Sequence, residues 1–451
     1  VAIAQVFAGT ADVITSTSYV AVDSMDLSPG AGEYLIVYTQ ETQYDATPGG
    51  ETINITLDIA GSQITHTERQ VNQDASFSNL NTGMVATALV SLTGSEIIQA
   101  ETKISADSHS INNRLLTAFP TDIGNSTQVT DVASDTLVTA TFTLLDTMTL
   151  TPTSGSYLLV FSASCRPATN SEAAFEVWID GVAKDTTRRI IEQNTIVANH
   201  CVMIATSITV NGSEDVEIRW SRLSGAGTIF CWERSMVLHN VLPSNIFEAD
   251  ATAGDVDATT NLKQIEAMLI NSPGANNYLI LFSSYRTYGT VGGTVGELYN
   301  LEGASAWGQS EKQWDVDGDL DNMNLPIFMH YAGTTSFASD DISAWWDGTS
   351  TNSRTLWRRN LVALAEASLY NLSGVTYDKD GSILGDVECY LWKDNGNDTL
   401  TWVAYQLSNS GSGVYAFADI TDNDSAYLVT FVKDDSPHVM DVTDHNLTPV
   451  L

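Results

Sequence analysis

Twelve residues, LTPTSGSYLLVF at Leu150–Phe161, return as LSPGAGEYLIVY at Leu27–Tyr38 and as INSPGANNYLILF at Ile270–Phe282. A chain that repeats a phrase at a fixed interval folds as copies of one unit, and missing the period would misassign the whole fold. Tyr34, Tyr157 and Tyr278 hold the same place in the phrase, so the period is about 120 residues. Flanking segments keep the order. Before the phrase, YVAVDSMDL from Tyr19 matches FTLLDTMTL from Phe142, pairing Asp23 with Asp146 and Met25 with Met148; Met268 precedes the third copy at the same spacing. After it, GSQITHTERQ at Gly61 matches GVAKDTTRRI at Gly181, and GSE occurs at Gly94 and Gly212. EDVEIRW ending at Trp220 matches DDISAWW ending at Trp346, and a closing run begins at Arg114, Arg234 and Arg359.

Each unit is a series of short Val/Ile/Leu/Phe/Thr-rich runs separated by Gly, Asn, Asp, Ser and Pro, without an amphipathic helix. About eight such runs per unit fit an antiparallel sandwich or jelly roll, which protects its edges by packing two sheets. The expected fold is all-β: jelly-roll repeats over 1–120, 121–243 and 244–370, with boundaries near Pro120 and Pro243, then a small separate β-sandwich over 371–451. In that last segment SGVTYDKDGSILGDVECYLW, GSGVYAF and AYLVTFV spell strands divided by Asp-Gly and Gly turns.

Strand periodicity gives the phrase its functional content. Tyr157, Leu159 and Phe161 face one side, and Leu158, Val160 and Ser162 the other. The first copy sets Leu35 and Val37 opposite Tyr34 and Ile36, and the third sets Leu279 and Leu281 opposite Tyr278 and Ile280. A strand greasy on both faces must be covered on both. One face is the sandwich core; the face of Leu35, Val37, Leu158, Val160, Leu279 and Leu281 is expected to pack against a neighbouring repeat or another subunit. In the penultimate run, Trp345 stands where the second copy has Arg219, an outward Trp beside an inward Trp346, which makes it a candidate contact for a sugar ring or a partner protein. The recurring Arg114, Arg234 and Arg359 read as structural ion pairs at the sheet end.

The remaining chemistry is sparse. With 19 Lys and Arg against 55 Asp and Glu, the net charge of -36 repels phosphate backbones and anionic headgroups, so nucleic acid is not an expected partner. No apolar run approaches the ~20 residues that span a bilayer, and VAIAQVFAGTADV lacks a basic n-region, so neither membrane insertion nor a signal peptide is expected. Cys165, Cys201, Cys231 and Cys389 show no zinc spacing and are expected as buried free thiols, with a disulfide among the first three as the alternative. In DVDGDLDN, Asp315, Asp317, Asp319 and Asp321 gather around a glycine as calcium loops do, but Pro326 stands where an EF-hand needs its bidentate Glu. Calcium is the one metal this sequence suggests, against a solvated acidic loop. No nucleophile elbow, HExxH or Walker loop occurs, so catalysis is not expected.

LTPTSGSYLLVFSAS, followed by FEVWIDG, TVNGSEDVEIRWSR and CWERSMVLHNV, resembles tandem tumour necrosis factor-like jelly-roll modules in structural proteins of tailed bacteriophages. The C-terminal GVTYDKDGSILGDVECYLW with GVYAF and YLVTFV resembles transthyretin-like, carboxypeptidase-regulatory-like sandwiches that phage proteins append. The resemblance implies a non-enzymatic protein of the virion surface, assembled in the host cytoplasm, as capsid decoration, fibre or tail accessory protein. Its implied partners are itself, as a homo-oligomer with a trimer favoured, or other virion proteins. Three copies in one chain could instead form a pseudo-threefold unit or a rod. The alternatives are a glycan-binding adhesin that attaches to a host surface glycan and, third, a surface-polysaccharide depolymerase.

Overall fold

The computed structural model describes residues 3–44, 51–72, 81–121, 126–193, 198–274, 276–288, 295–302, 310–316, 324–335, 340–348, 353–366, 370–375, 382, 385–394, 400–410, 412, 414–420 and 427–432. Among them every regular element is a strand, apart from two 3-10 turns at Asp185–Thr187 and Pro243–Asn245. The chain divides into two compact units, Val1–Glu366 and Ala367–Leu451.

The first unit holds three copies of one topology. Repeat 1 contains β1 (Ala4–Ala8), β2 (Asp12–Ile14), β3 (Val20–Leu27), β4 (Ala31–Tyr44), β5 (Thr52–Ile59), β6 (Ser62–Asn72), β7 (Asn81–Thr93), β8 (Ile98–Ile104) and β9 (His109–Thr121). Its sheets run β1-β9-β4-β7, with β2 also on β9, and β3-β8-β5-β6. That is a jelly roll: two four-stranded antiparallel sheets whose first strand is broken in two. Repeat 2 contains β10 (Ser126–Asp131), β11 (Asp135–Leu137), β12 (Thr143–Leu150), β13 (Gly155–Arg166), β14 (Ser171–Ile179), β15 (Val182–Ala183), β16 (Arg189–Gln193), β17 (His200–Val210), β18 (Val216–Ser224) and β19 (Ile229–Val241). Repeat 3 contains β20 (Ile246–Ala251), β21 (Asp255–Asp257), β22 (Lys263–Ile270), β23 (Asn276–Tyr288), β24 (Val295–Glu302), β25 (Lys312–Val316), β26 (Asn324–Thr335), β27 (Ile342–Gly348) and β28 (Arg354–Ala365). Their sheets, β10-β19-β13-β17 with β12-β18-β14-β15 and β20-β28-β23-β26 with β22-β27-β24-β25, reproduce the order of repeat 1.

The repeated phrase is a turn and the strand it feeds. β4, β13 and β23 each lie between two partners in their sheets. The tyrosine hydroxyl reaches back over the turn to a carbonyl: Tyr34 to Pro29 O, Tyr157 to Thr153 O and Tyr278 to Pro273 O, each at 2.9 Å. The motif before it is a bulge. Ser24, Thr147 and Ala267 take φ of 62°, 62° and 61°, and pairing with the neighbouring strand slips across them. One residue on, Met25, Met148 and Met268 are buried. The recurring arginine serves this bulge. Arg114 Nε donates to Asp23 O at 3.0 Å and Arg234 Nε to Asp146 O at 3.1 Å, while Nη1 of Arg114, Arg234 and Arg359 reaches Thr10 O, Ala133 O and Ala253 O. Ion pairs accompany this carbonyl clasp, with Asp131 2.7 Å from Arg234 and Asp23 3.6 Å from Arg114.

In repeat 2 the two faces of the central strand enter two different cores. Tyr157, Leu159 and Phe161 pack inside repeat 2 with Phe175, Ile218 and Trp220. Leu158 and Val160 belong instead to an apolar cluster shared with Leu35, Val37, Leu279 and Leu281. All six are fully buried, and three jelly rolls meet around them.

The second unit contains β29 (Tyr370–Val375), β30 (Glu388–Asp394), β31 (Leu400–Leu407), β32 (Val414–Ile420) and β33 (Tyr427–Val432). β29 pairs with β32, and β31-β30-β33 form an antiparallel sheet that buries Cys389 and Leu391.

Candidate functional site: three seams between the repeats

Each repeat meets the next through equivalent elements, and the third meets the first in the same way. β6 and β7 of repeat 1 pack on β13 and β19 of repeat 2; β16 and β17 pack on β23 and β28 of repeat 3; β25 and β26 pack on β4 and β9 of repeat 1. Register fixes the correspondence. Thr39, Ser162 and Ser283 lie five residues past the phrase tyrosine, and Arg69, Arg189 and Lys312 pair with Ile55, Phe175 and Tyr299 at equivalent points of their sheets.

The receiving side of every seam is a β-bulge. Asn113, Glu233 and Arg358 take φ of 40°, 45° and 45°, where the pairing of β9, β19 and β28 with the central strand slips by one residue. A bulge turns one carbonyl out of its ladder and makes it available to a neighbour. Each such carbonyl takes a buried cation. Arg69 Nη1 donates to Glu233 O at 2.5 Å and Nη2 to Ser162 O and Oγ at 3.0 and 2.6 Å. Arg189 Nη1 donates to Arg358 O at 2.6 Å, and Nη2 to Ser283 O and Oγ and Asn360 Oδ1 at 2.8, 2.6 and 2.7 Å. In the closing seam Lys312 Nζ donates to Asn113 O. Burial pushes the guanidinium of Arg69 down to about 10 and that of Arg189 to about 9, still charged at neutral pH.

Two further positions repeat around the ring. Thr87 Oγ1 meets Ser162 Oγ at 2.6 Å, Ala205 N donates to Ser283 Oγ at 3.2 Å, and His330 Nδ1 meets Thr39 Oγ1 at 3.0 Å. The outer edge is capped by side chains. Gln128 Oε1 accepts from Leu89 N at 3.2 Å, Glu248 Oε2 from Ser207 Oγ at 2.7 Å, and Gln5 Oε1 from Ala332 N at 2.7 Å. The edge strands β7, β17 and β26 therefore each meet a neighbour's amide or carboxylate, which blunts them against pairing with a foreign strand.

The residues singled out in the sequence are distributed unevenly over this geometry. Leu35, Val37, Leu158, Val160, Leu279 and Leu281 come together between the repeats, so these faces are covered inside one chain. Trp346 is buried, and Trp345 on the opposite face of β27 is half-buried with Nε1 donating to Ser343 Oγ at 2.8 Å. Asp315 belongs to β25, and Asp317, Asp319 and Asp321 lie outside the described residues. Among the described residues no group of three or more His, Cys, Asp or Glu side chains could hold a metal. All four cysteines are free and buried, and burial raises each thiol, Cys201 and Cys389 to about 11 and Cys231 to about 12. Arg69 and Arg189 stand at the same offset in the matching segments GSQITHTERQ and GVAKDTTRRI, where the sequence assigns them no role. The signal was there: a charged residue recurring on a strand whose neighbours are buried.

No protein-family model and no curated protein matches the chain. Among solved structures it is similar to one described as the triple jelly roll fold and turret assembly in an archaeal virus, at 10% identity over 80% of this chain and 91% of that one, with a TM-score of 0.20. It is also similar to a chain of Sulfolobus Turreted Icosahedral Virus, at 12% identity over 80% and 92%, TM-score 0.19. A tandem CBM22 domain of Paenibacillus barcinonensis Xyn10C follows, at 10% identity over 54% and 95%, TM-score 0.17. The tandem β-sandwiches follow from the strand order of the chain itself, and the likeness to viral triple jelly-roll proteins is at low TM-score.

Proposed function

We propose that this chain is a non-enzymatic structural protein of the exterior of a bacteriophage particle, built as a trimer within one polypeptide. The observation that carries the reading is the closed ring of seams, in which three copies of one jelly roll bury a common core and point their buried cations at one another's carbonyls. Such a ring supplies pseudo-threefold symmetry without chain association, and a heterologous contact that closes cannot propagate into a filament. The six apolar residues of the central strands are consumed in closing it, so contacts with further copies or with other virion proteins use outer surfaces. Immunogold microscopy of native particles with an antibody against residues 1–366 tests this. Label on the particle exterior is expected; particles free of label, with the protein recovered only from the lysate, would overturn it.

A second reading, attachment to a host surface glycan, has Trp345 in its favour, because its ring lies on the sheet face opposite the core-facing Trp346. A glycan array distinguishes the two. Binding that disappears in Trp345→Ala with unchanged thermal stability supports attachment, and an array with no signal removes it.

A further inference from the structure

The seam between repeats 3 and 1 differs from the other two in both connection and chemistry. Repeat 1 runs into repeat 2 through 122–125 and repeat 2 into repeat 3 through the 3-10 turn Pro243–Asn245, whereas β28 does not lead back to β1. Its far edge is closed only by contact, Ile3 N donating to Glu366 Oε1 at 2.7 Å. At the three inner positions the tethered seams hold Arg69 and Arg189, Ser164 and Tyr285, Thr87 and Ala205; the untethered seam holds Lys312, Glu41 and His330. We propose that this closing seam is a proton-operated latch: charging His330 against Lys312 parts repeat 1 from repeat 3 while the individual sandwiches stay folded.

The geometry suits that role. His330 is fully buried, with Nδ1 3.0 Å from Thr39 Oγ1 on β4 and Nε2 3.1 Å from Thr117 Oγ1 on β9, so both ring nitrogens are satisfied in the neutral form by groups of the opposite repeat. The charged groups of its surroundings are Lys312 and the adjacent Glu311 at β25 and Glu41 on β4, which accepts from Gln313 N and, at 3.0 Å, from Asn113 Nδ2. Burial holds the imidazole well below its ordinary range, and the Lys312 ammonium pushes it the same way. Burial also raises the Glu41 carboxyl and lowers the Lys312 ammonium.

The signs decide where the latch releases. A depressed histidine binds fewer protons folded than unfolded, so the seam loses stability as pH falls below about 6.5. A raised carboxyl does the reverse, gaining stability as pH falls toward about 4.3, where the unfolded chain also takes up its proton. Glu41 therefore offsets His330 in mild acid and leaves Glu311 as the carboxylate beside Lys312. Below about pH 4.3 the offset ends and only the histidine continues to lose stability. The tether at each of the other seams keeps its partners at high effective concentration, so release is confined to the untethered one.

The test is small-angle scattering with circular dichroism on the full chain from pH 7 to about 2.5, comparing wild type with His330→Thr, which installs the residue type of Thr87. In wild type the radius of gyration should rise reversibly below about pH 4.3 with the strand signal retained. In His330→Thr the midpoint should fall by one pH unit or more, since His66, His109, His200 and His239 remain and act equally in both proteins. His330→Gln serves if the threonine variant does not fold. Equal midpoints in wild type and variant, or expansion that coincides with loss of the strand signal, would overturn the latch.

Discussion

The seam joining repeats 2 and 3 and the seam joining repeats 3 and 1 use the same strands, the same bulge and the same register, yet fill them differently. In the first, Arg189 sends four hydrogen bonds across to two carbonyls, a hydroxyl and an amide oxygen of repeat 3. In the second, Lys312 sends its bond to a single carbonyl and stands beside a carboxyl that can take up a proton. What persists through duplication is the backbone device, a carbonyl turned out at positive φ, while the group that meets it is free to change. A planar guanidinium matches several fixed acceptors, and an ammonium is a point charge with three donors.

The sharpest way to break the comparison is to remove the cation from each seam. Arg189→Met leaves two carbonyls, a hydroxyl and an amide oxygen buried without their donor, and should cost about 3–5 kcal/mol. Lys312→Met should cost less, about 1–3 kcal/mol, because Glu41 can neutralise itself by taking a proton and a single carbonyl loses its donor. Denaturant unfolding of both variants at pH 7 checks the order. Equal losses would mean that the ring core and not the cation carries each seam.

Acid should separate the seams next. His66 and His239 lie in the seam between repeats 1 and 2, against Gln128 and edge-on to Phe119, and burial pushes both down to about 4. Folded values below the unfolded value near 6.5 mean stability that is present at neutral pH and lost as pH falls toward 4, with up to about 3 kcal/mol for each such group. Glu233 at the same seam, raised by burial to about 7, offsets one of the two and leaves a net loss. On the strands of the seam between repeats 2 and 3 the described histidine is His200 at the start of β17, and no described hydrogen bond or ring contact takes it across to repeat 3. Hydrogen exchange corrected for pH should therefore show protection falling in β7 and β10 between pH 7 and 5 before it falls in β16 and β23.

Much of this was legible in the sequence, and the missing part has a physical reason. The phrase Leu150–Phe161 revealed the three copies, the central strand and its two apolar faces, because strand periodicity assigns alternate residues to opposite sides. It could not reveal that Leu158, Val160 and their counterparts meet one another, since periodicity specifies that a face is covered and not by what. The bulges at Asn113, Glu233 and Arg358 were invisible for another reason: three unlike side chains share one backbone conformation, so no residue type marks it. Arg114, Arg234 and Arg359 were visible as a recurrence, but the carbonyls that tie them to the broken first strand and the bulge lie about 90–105 positions away.

A smaller change tests the hydroxyl position of the two seams. Ser283 Oγ accepts from Arg189 Nη2 and from Ala205 N, so Ser283→Ala removes an acceptor from two buried donors and should cost about 1–3 kcal/mol. Thr39→Val is isosteric and leaves one nitrogen of His330 unpaired while Thr117 still holds the other, so about 1 kcal/mol is expected. A larger loss for Thr39→Val would show that the histidine depends on both hydroxyls, and would make the closing seam the more demanding of the two.

The smallest effect belongs outside the seams, where the three repeats should respond alike. Tyr34→Phe, Tyr157→Phe and Tyr278→Phe each delete a hydroxyl that closes the turn of its own repeat onto the carbonyl of Pro29, Thr153 or Pro273. One neutral hydrogen bond at a half-exposed turn contributes about 1 kcal/mol. Tyr157 also meets Thr153 Oγ1 and Asn240 Nδ2, so its variant should lie at the upper end. None of these hydroxyls crosses between repeats. Cross-seam protection should accordingly stay level in all three variants, and a Tyr278→Phe protein that loosened β25 against β4 would show that turn and seam are coupled through β23.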